Sequence, residues 1–254
     1  ALASGCSLIQ KPSELSPISL YIIGNLLKEI NFPKGVINII CGEPTEVAQT
    51  LSKSTIPNLI TMIGSTETAK KVISDSSTSI KKYSMELGGN APFIVFHDAD
   101  LDNAINIGAA IKFGNCGQIC VAANRFFVHE KVYDKFLNGL IEKAKNLKIG
   151  YSEDLDFEIG PLISKKSRDR ITNLIKNTID SGGNLEYGGG IPKMNGNWFE
   201  PTVISGINES MSIFHEEIFG PVASIIKFKY DEEVLNQANK TQYGLASYLF
   251  TRDK

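Results

Sequence analysis

The sequence predicts an α/β fold in which parallel strands alternate with helices. Through the first third of the chain, short β-branched runs alternate with segments whose apolar residues recur at helical spacing. The length of 254 residues is enough for one large domain or two modest ones with a sizeable core. The composition, 42% hydrophobic and 21% charged, is ordinary for a soluble globular protein.

The first part of the chain is predicted to be a parallel sheet with connecting helices. The strands are short apolar runs closed by a turn or a glycine, and two of them, residues 35–42 and 58–64, are expected to be buried. An earlier run, residues 6–9, and a later one that ends at Glu86 complete the strands. The helices carry apolar residues at helical spacing or begin at a Ser/Thr cap, and they cover residues 16–30, 44–54 and 65–77.

The second part is predicted to be another α/β domain. Its helices are residues 98–115, 131–147, 164–182 and 231–241. Its strands are residues 91–96, 119–130, 200–205 and 221–230, with a surface turn at Gly188–Gly190, and a final apolar run covers residues 246–251. Because Gly88-Gly89 marks a hinge or tight turn, the sequence predicts one domain over residues 1–88 and a second over 89–254.

Composition excludes several classes of protein. With 26 basic and 28 acidic residues, the net charge of −2 gives no reason to expect nucleic acid or an anionic membrane as a partner. The apolar runs are too short to span a bilayer. The four cysteines do not form a disulfide framework, which indicates a reducing compartment, the cytoplasm or alternatively the mitochondrial matrix. No metal site is expected, because no histidine stands at ligand spacing from a cysteine pair.

Two cysteines, Cys116 and Cys120, lie in one turn on either side of Gly117 and Gln118. A thiolate is the reactive form of cysteine, and backbone N–H groups of a glycine turn can hold an oxyanion. Glycine also lets the backbone approach a substrate closely. Cys120 is therefore a candidate nucleophile ahead of Cys116, and the alternative for each is a small buried apolar side chain.

Glu86 lies between apolar neighbours, Met85 and Leu87, where a strand ends. A carboxylate in apolar surroundings can act as a general base near neutral pH. The alternative is an exposed glutamate in a turn.

Gly64 and Ser65 follow an apolar strand and open a helix. A helix N-terminus favours anions such as pyrophosphate, because its free N–H groups and its dipole attract negative charge. The alternative is simple capping by Ser65. No G-x-G-x-x-G motif is present, so an ordinary Rossmann fingerprint is absent.

Lys11 and Glu14 follow the first strand, where a lysine and a carboxylate could bond the two hydroxyls of a ribose. Glu217, close to Phe219 in a second loop, could hold another ribose. The alternative for both places is a solvated loop.

The set and order of these motifs resemble the aldehyde dehydrogenase superfamily across the whole chain. The 34 residues that separate Glu86 and Cys120 (120 − 86) also fit that family. Residues 84–102 and 120–128 are most similar to the succinate-semialdehyde dehydrogenase group. The motifs that carry the resemblance are Lys11–Glu14, Gly64–Thr66, Glu86–Gly89, Gly117–Cys120 and Glu217–Pro221.

The resemblance implies part of a parallel, Rossmann-like cofactor domain, followed by most of an α/β catalytic domain. It implies the NAD(P)-dependent oxidation of an aldehyde to a carboxylic acid. Cys120 would attack the carbonyl to form a thiohemiacetal, hydride transfer to the nicotinamide would leave a thioester, and Glu86 would activate the hydrolytic water.

The resemblance also assigns cofactor contacts. Because Glu14 should repel a 2′-phosphate, NAD is expected, with NADP as the alternative. The implied contacts are Lys11 and Glu14 with the adenine-side ribose, Gly64 and Ser65 with the pyrophosphate, and Glu217 and Phe219 with the nicotinamide ribose region.

Two positions depart from the succinate-semialdehyde dehydrogenase group. Gly114 stands where many members carry an arginine that helps bind the substrate carboxylate. Ala122 stands where some members carry a second, redox-active cysteine. Cys116 could play a similar part, or it is a bystander. The resemblance therefore implies an aldehyde substrate, with succinate semialdehyde as one candidate.

The resemblance implies that the chain is a central fragment of a full member, which would form a homodimer or homotetramer. An asparagine of the oxyanion hole would precede the fragment, and loss of one such donor typically costs about 10²–10³ in rate. Two other hypotheses remain. One is a truncated, inactive chain with a binding role or none. The other is a cysteine hydrolase that uses Cys120 and Glu86 on esters without NAD.

Overall fold

The structure is a computed structural model that describes residues 1–151 and 156–253. The chain divides into two compact units, Ala1–Leu87 and Gly88–Lys254. The Gly88-Gly89 pair, where the sequence predicts a hinge, stands at this division. Residues 152–155 and Lys254, which belong to the predicted second domain, lie outside the described residues.

The first unit alternates strands with helices, and its strands pair in parallel, as predicted. They form two separate pairs, β1 with β2 and β3 with β4, where a single sheet was expected. After a 3₁₀ turn at Leu2–Ser4, the elements are β1 (Leu8–Gln10), α1 (Ile18–Glu29), β2 (Ile37–Ile39), α2 (Pro44–Lys53), β3 (Leu59–Ile63), α3 (Thr66–Asp75) and β4 (Lys82–Glu86).

The prediction that the strands in residues 35–42 and 58–64 are buried is wrong. Leu59 and Ile63, at the two ends of β3, are 53% and 85% exposed, and no residue of α1 is buried. Apolar runs are buried in a parallel sheet only when further structure covers both faces. Each strand in residues 1–87 has a single strand neighbour, so the apolar side chains stay largely exposed.

The second unit is built on one six-stranded sheet with strand order β10-β5-β6-β9-β8-β7. All neighbours are parallel except β7, which is antiparallel to β8. The predicted helices and strands are found, the final apolar run contains the strand β10, and β7 and α7 were not predicted. The elements are β5 (Ala91–Val95), α4 (Leu101–Phe113), β6 (Ala123–His129), α5 (Tyr133–Asn146), α6 (Lys165–Asp180), β7 (Asn184–Tyr187), β8 (Thr202–Ser205), α7 (Ser212–His215), β9 (Val222–Phe228), α8 (Asp231–Asn239) and β10 (Tyr248–Phe250).

The sheet order explains why distant motifs of the second unit meet. Strands β5, β6 and β9 are adjacent and parallel, so their amino ends lie along one edge of the sheet. Gly88-Gly89 precedes β5, Cys120 precedes β6 and Glu217 precedes β9. Beneath this edge, tightly packed aromatic rings such as Phe93 and Phe126, with centroids 4.9 Å apart, form the core.

Candidate active site

Three loops of the second unit meet at the amino edge of its sheet. The backbone N–H of Gly89 donates to Glu217 Oε1 over 3.0 Å. A Cβ built on Gly89 would lie 2.6 Å from the carbonyl oxygen of Cys120, so that oxygen passes directly against the Gly89 backbone. The structure therefore brings the Cys120 carbonyl and the Glu217 carboxylate, whose residues are 97 apart in sequence (217 − 120), against the same glycine.

The turn before Cys120 is left-handed. Asn115, Cys116 and Gly117 have φ values of 49°, 56° and 68°, a conformation that costs about 1–2 kcal/mol for each residue with a side chain. The Gln118 N–H donates to the Asn115 carbonyl over 3.1 Å, and Asn115 Nδ2 donates to the Gln118 carbonyl over 3.1 Å. These reciprocal hydrogen bonds help to hold the strained turn closed.

Gln118 fixes the turn to the chain before α6. Its Oε1 accepts from the Ile163 N–H over 2.9 Å, and its Nε2 donates to the Pro161 carbonyl over 3.4 Å. Gly117 therefore lets the backbone of Gly220 approach closely, and Gln118 anchors the turn.

The two cysteines of this turn have different surroundings. The Cys116 side chain is 1% exposed, and burial raises the pKa of its thiol to about 12, although the Lys112 ammonium opposes the shift. Cys120 is only partly buried. A thiol that stays protonated is a poor nucleophile. The geometry therefore favours Cys120 over Cys116 and gives Cys116 a place in the core.

Tyr248 in β10 is a neighbour of Cys120 that sequence reasoning missed. Its hydroxyl donates to the carbonyl of Val121 over 2.7 Å, which fixes the peptide group between Val121 and Ala122, just after Cys120. The pKa of Tyr248 is raised, first by burial and then by the nearby Cys120. The sequence around Tyr248 indicates only an apolar run, so nothing in it links Tyr248 to Cys120.

Glu217 is half-buried, with its carboxylate against Gly88-Gly89. A Cβ on Gly88 would lie 2.2 Å from Glu217 Oε2, so the carboxylate fills space that only glycine leaves open. Burial raises the pKa of Glu217, and the Gly89 N–H, Arg170 and Lys112 oppose that shift. Phe219 follows with φ 49° and a 38% exposed ring, which is a strained backbone for an aromatic residue.

Lys112, in the last turn of α4, is a second residue that sequence reasoning missed. It is 1% exposed, and burial lowers the pKa of its ammonium to about 7, although nearby Glu217 and Cys116 oppose the shift. A lysine near the end of an amphipathic helix is normally a solvated residue, so its spacing gave no signal.

The Lys112→Met variant should change the pH dependence of stability. Below pH 7, Lys112 of the folded parent is a buried, charged ammonium. Between about pH 7 and 10.5, the folded parent has lost this proton while the unfolded chain keeps it. The free energy of unfolding of the parent therefore rises with pH over this range. The variant should therefore be more stable than the parent by about 1–4 kcal/mol at pH 6, with the advantage shrinking towards pH 10. Urea unfolding at several pH values, followed by fluorescence of the sole tryptophan, Trp198, measures this. A pH-independent difference would contradict it.

Asn90, Asn124 and Arg125 are further polar residues that sequence reasoning missed, and they are 3%, 3% and 0% exposed. A signal was present, because Asn124-Arg125 interrupts an apolar strand in which every residue is buried. Buried polar side chains need partners, so such an interruption indicates a hydrogen-bond network.

In the first unit, the structure brings Lys11 and Glu14 together directly after β1. Lys11 Nζ lies 3.3 Å from Glu14 Oε2 and donates to the Pro12 carbonyl over 2.8 Å. The pKa of Glu14 is lowered, chiefly by a hydrogen bond from its own backbone and then by Lys11. A donor and an acceptor side by side at the carboxyl end of a strand fit the hydroxyls of a ribose.

Ser65 caps α3. Its Oγ accepts from the Thr68 N–H over 3.2 Å and lies 2.9 Å from Thr68 Oγ1, which is the capping interpretation that the sequence left open. Gly64 donates its N–H to the carbonyl of Glu86 over 3.0 Å, so the residues that end β3 and β4 are neighbours. The start of α3 retains the helix dipole that suits a phosphate.

The apolar surroundings predicted for Glu86 are not found within the first unit. Its side chain is exposed at the end of β4. Successive side chains of a strand point to opposite faces, so apolar Met85 and Leu87 do not surround Glu86.

The described residues contain neither a helix that could cross a membrane nor a cluster that could hold a metal ion. Within residues 1–151 and 156–253, no helix has the length and apolar character needed to cross a membrane. Over the same residues, no group of three or more His, Cys, Asp or Glu side chains is placed to hold a metal ion.

Comparison with known proteins identifies the family of the chain. The Aldehyde dehydrogenase family model matches residues 1–254. The mitochondrial succinate-semialdehyde dehydrogenase of Oryza sativa subsp. japonica is 40% identical over 252 residues, which are 99% of this chain and 48% of that protein. Succinate-semialdehyde dehydrogenase [NADP(+)] 2 of Schizosaccharomyces pombe is 41% identical over 255 residues, with 100% and 52% covered.

A crystal structure of betaine aldehyde dehydrogenase from Staphylococcus aureus in complex with NAD⁺ has a TM-score of 0.95 and 36% identity. The match covers 100% of this chain and 51% of that one. The chain thus spans about half the length of the relatives that it matches. With a family model that covers every residue and relatives near 40% identity, the chain belongs to the aldehyde dehydrogenase family.

Proposed function

We propose that this chain contributes the catalytic cysteine of an enzyme that oxidises an aldehyde to a carboxylic acid with NAD as the acceptor. The observation that carries the proposal is the position of Cys120. It is the partly exposed cysteine of a strained, anchored turn, and the other cysteine of that turn is buried. Strained backbone of this kind is concentrated at functional sites.

The chemistry uses two side chains in sequence. The Cys120 thiolate attacks the aldehyde carbon, a C–S bond forms and the carbonyl oxygen becomes the thiohemiacetal oxygen. The nicotinamide ring, when bound, supplies the acceptor for the hydride whose departure leaves a thioester on Cys120. Glu86 then removes a proton from water, the oxygen attacks the thioester, the C–S bond breaks and the acid leaves.

Cofactor contacts are proposed within each unit separately. In the first unit, Lys11 and Glu14 would bind the adenine-side ribose, while Gly64 and Ser65 at the start of α3 would bind the pyrophosphate. In the second unit, Glu217 and Phe219 would bind the nicotinamide-side ribose region. Glu14 supports NAD, because a carboxylate beside a ribose repels a 2′-phosphate.

The substrate is proposed to be a small aldehyde, with succinate semialdehyde as the first candidate. Relatives near 40% identity named succinate-semialdehyde dehydrogenases support this choice. Gly114 offers no cation for a second carboxylate, and a Cβ added there would meet nothing within 4 Å. A neutral aldehyde of similar length is therefore the proper comparison.

The test is formation of NADH or NADPH by the purified chain with succinate semialdehyde, butanal and betaine aldehyde, each with NAD or NADP. We expect NADH formation with at least one aldehyde and faster turnover with NAD than with NADP. No turnover with any pair would overturn the proposed activity for this chain and favour a binding role. Hydrolysis of an activated ester without NAD, and no aldehyde oxidation, would favour a cysteine hydrolase.

The Glu86→Gln variant should slow thioester hydrolysis more than hydride transfer. Glutamine keeps the size of the side chain and removes the base, so we expect a burst of NADH followed by slow turnover, reduced about 10²–10⁴-fold. Rapid-mixing absorbance measures the burst, and intact mass shows the acyl group on the protein. Normal steady-state turnover without an acyl-enzyme would contradict the base role, and Glu67→Gln is an exposed glutamate control from the same unit.

A further inference from the structure

A buried hydrogen-bond network in the second unit holds the segment that carries Glu217. Asn124 Nδ2 donates to the carbonyl of Glu216 over 2.8 Å, and Asn124 Oδ1 accepts from the N–H of Ile218 over 3.1 Å. One side chain thus binds the peptide groups before and after Glu217, as a neighbouring strand would.

The same asparagine reaches the loop that binds the carboxylate of Glu217. Asn124 Nδ2 also donates to Asn90 Oδ1 over 2.7 Å, and Asn90 Nδ2 donates to the carbonyl of Phe214 over 3.0 Å. Asn90 directly follows Gly89, whose N–H is bound by Glu217 Oε1. Asn124 therefore ties together the two loops between which the Glu217 carboxylate lies.

Two arginines donate hydrogen bonds to backbone carbonyls of these two loops. The Arg125 guanidinium, fully buried, donates to the Asn90 carbonyl from Nε over 3.2 Å and from Nη2 over 2.9 Å. Arg170 donates to the carbonyls of Glu217 and Ile218. Because a buried polar group without a partner costs about 1–3 kcal/mol, each member of the network restrains the others.

We propose that Asn124 is a positioning residue that fixes the carboxylate of Glu217, because it binds both flanking peptide groups and the Asn90 side chain. Its importance for the reaction rests on the proposed function, in which Glu217 holds the nicotinamide-side ribose. Removal of a residue that serves only stability would weaken the hydrogen bonds of the whole sheet. Removal of a positioning residue would free the Glu217 carboxylate and leave the hydrogen bonds between the strands intact.

Amide hydrogen exchange on the full chain separates these two roles without a bound cofactor. The Gly89 N–H reports the Glu217 carboxylate, because that carboxylate is its acceptor. In Asn124→Ala, the ratio of the Gly89 exchange rate to the exchange rates of the amides that join β6 and β9 should rise about tenfold. Thr202→Val is the control, because it removes the hydroxyl of another buried polar side chain of the sheet. It should leave that ratio unchanged.

Unchanged Gly89 protection in Asn124→Ala, or acceleration equal to that of the strand amides, would overturn the proposal. Asn124→Ser keeps a polar group too short to reach both peptides, and it gives the same test should the alanine variant not fold. Gly88→Ala provides a positive control for the readout, because its Cβ would displace the end of Glu217 and leave the Asn124 hydrogen bonds in place. Failure of the parent to bind NAD would overturn the proposed function and not the positioning role.

Discussion

Replacing Cys120 by alanine is expected to abolish NAD-dependent aldehyde oxidation by the chain. Without a thiolate there is no thiohemiacetal and no thioester, and loss of a covalent nucleophile costs at least about 10⁴-fold in turnover. NADH absorbance with the best aldehyde of the parent measures the effect. Intact mass after a single turnover should show no acyl group on the variant.

The matched control is Cys116→Ala, which changes the other cysteine of the same turn. Cys116 is buried and its pKa is raised to about 12, so its removal should cost stability in the core and leave the chemistry in place. Alkylation at mildly alkaline pH should modify Cys120 and spare Cys116 in the folded parent. Loss of turnover in Cys116→Ala with retention in Cys120→Ala would reverse the assignment of the nucleophile.

The alternating pattern of the sequence was sufficient to predict most of the second unit. Strands such as β6 and β9 are long β-branched and aromatic runs, and the helices between them have apolar faces, so local pattern and tertiary packing agree. The same reasoning failed for burial in the first unit. An apolar run such as β3 shows a preference for burial, whereas burial itself depends on neighbouring strands and layers.

The candidate site could be predicted where one residue type has a distinctive chemical use. A cysteine after Gly-Gln, a carboxylate at the end of a strand and a lysine–glutamate pair could be found in sequence. Lys112 and Tyr248 could not, because their position near Cys120 and Glu217 depends on how α4 and β10 are placed against the amino edge of the sheet. Asn124 falls between these cases. The sequence shows it as a polar residue in an apolar strand, but it does not show that its partner is the carbonyl of Glu216, 92 residues away.

Gly117→Ala is expected to produce the largest loss of stability among single substitutions in the turn that carries Cys120. The added Cβ would lie 2.1 Å from the carbonyl oxygen of Gly220 and 3.0 Å from that of Lys112, and these backbone atoms have little freedom to move away. Gly117 also has φ 68°, where alanine adds strain. Together, strain and overpacking should lower the free energy of unfolding by about 3–5 kcal/mol.

Gly114→Ala is the matched control, because it adds the same methyl group three residues earlier in the same turn. Gly114 has φ −53°, and its Cβ would meet nothing within 4 Å, so stability should change by no more than about 0.5 kcal/mol. Urea unfolding followed by the fluorescence of Trp198, which is buried in the second unit, compares the two variants directly. Equal stability of Gly117→Ala and Gly114→Ala would mean that the contact between Gly117 and Gly220 does not hold the turn. The loop that carries Glu217 would then be free to separate from the turn that carries Cys120, and another contact would have to keep Cys120 and Glu217 close to Gly89.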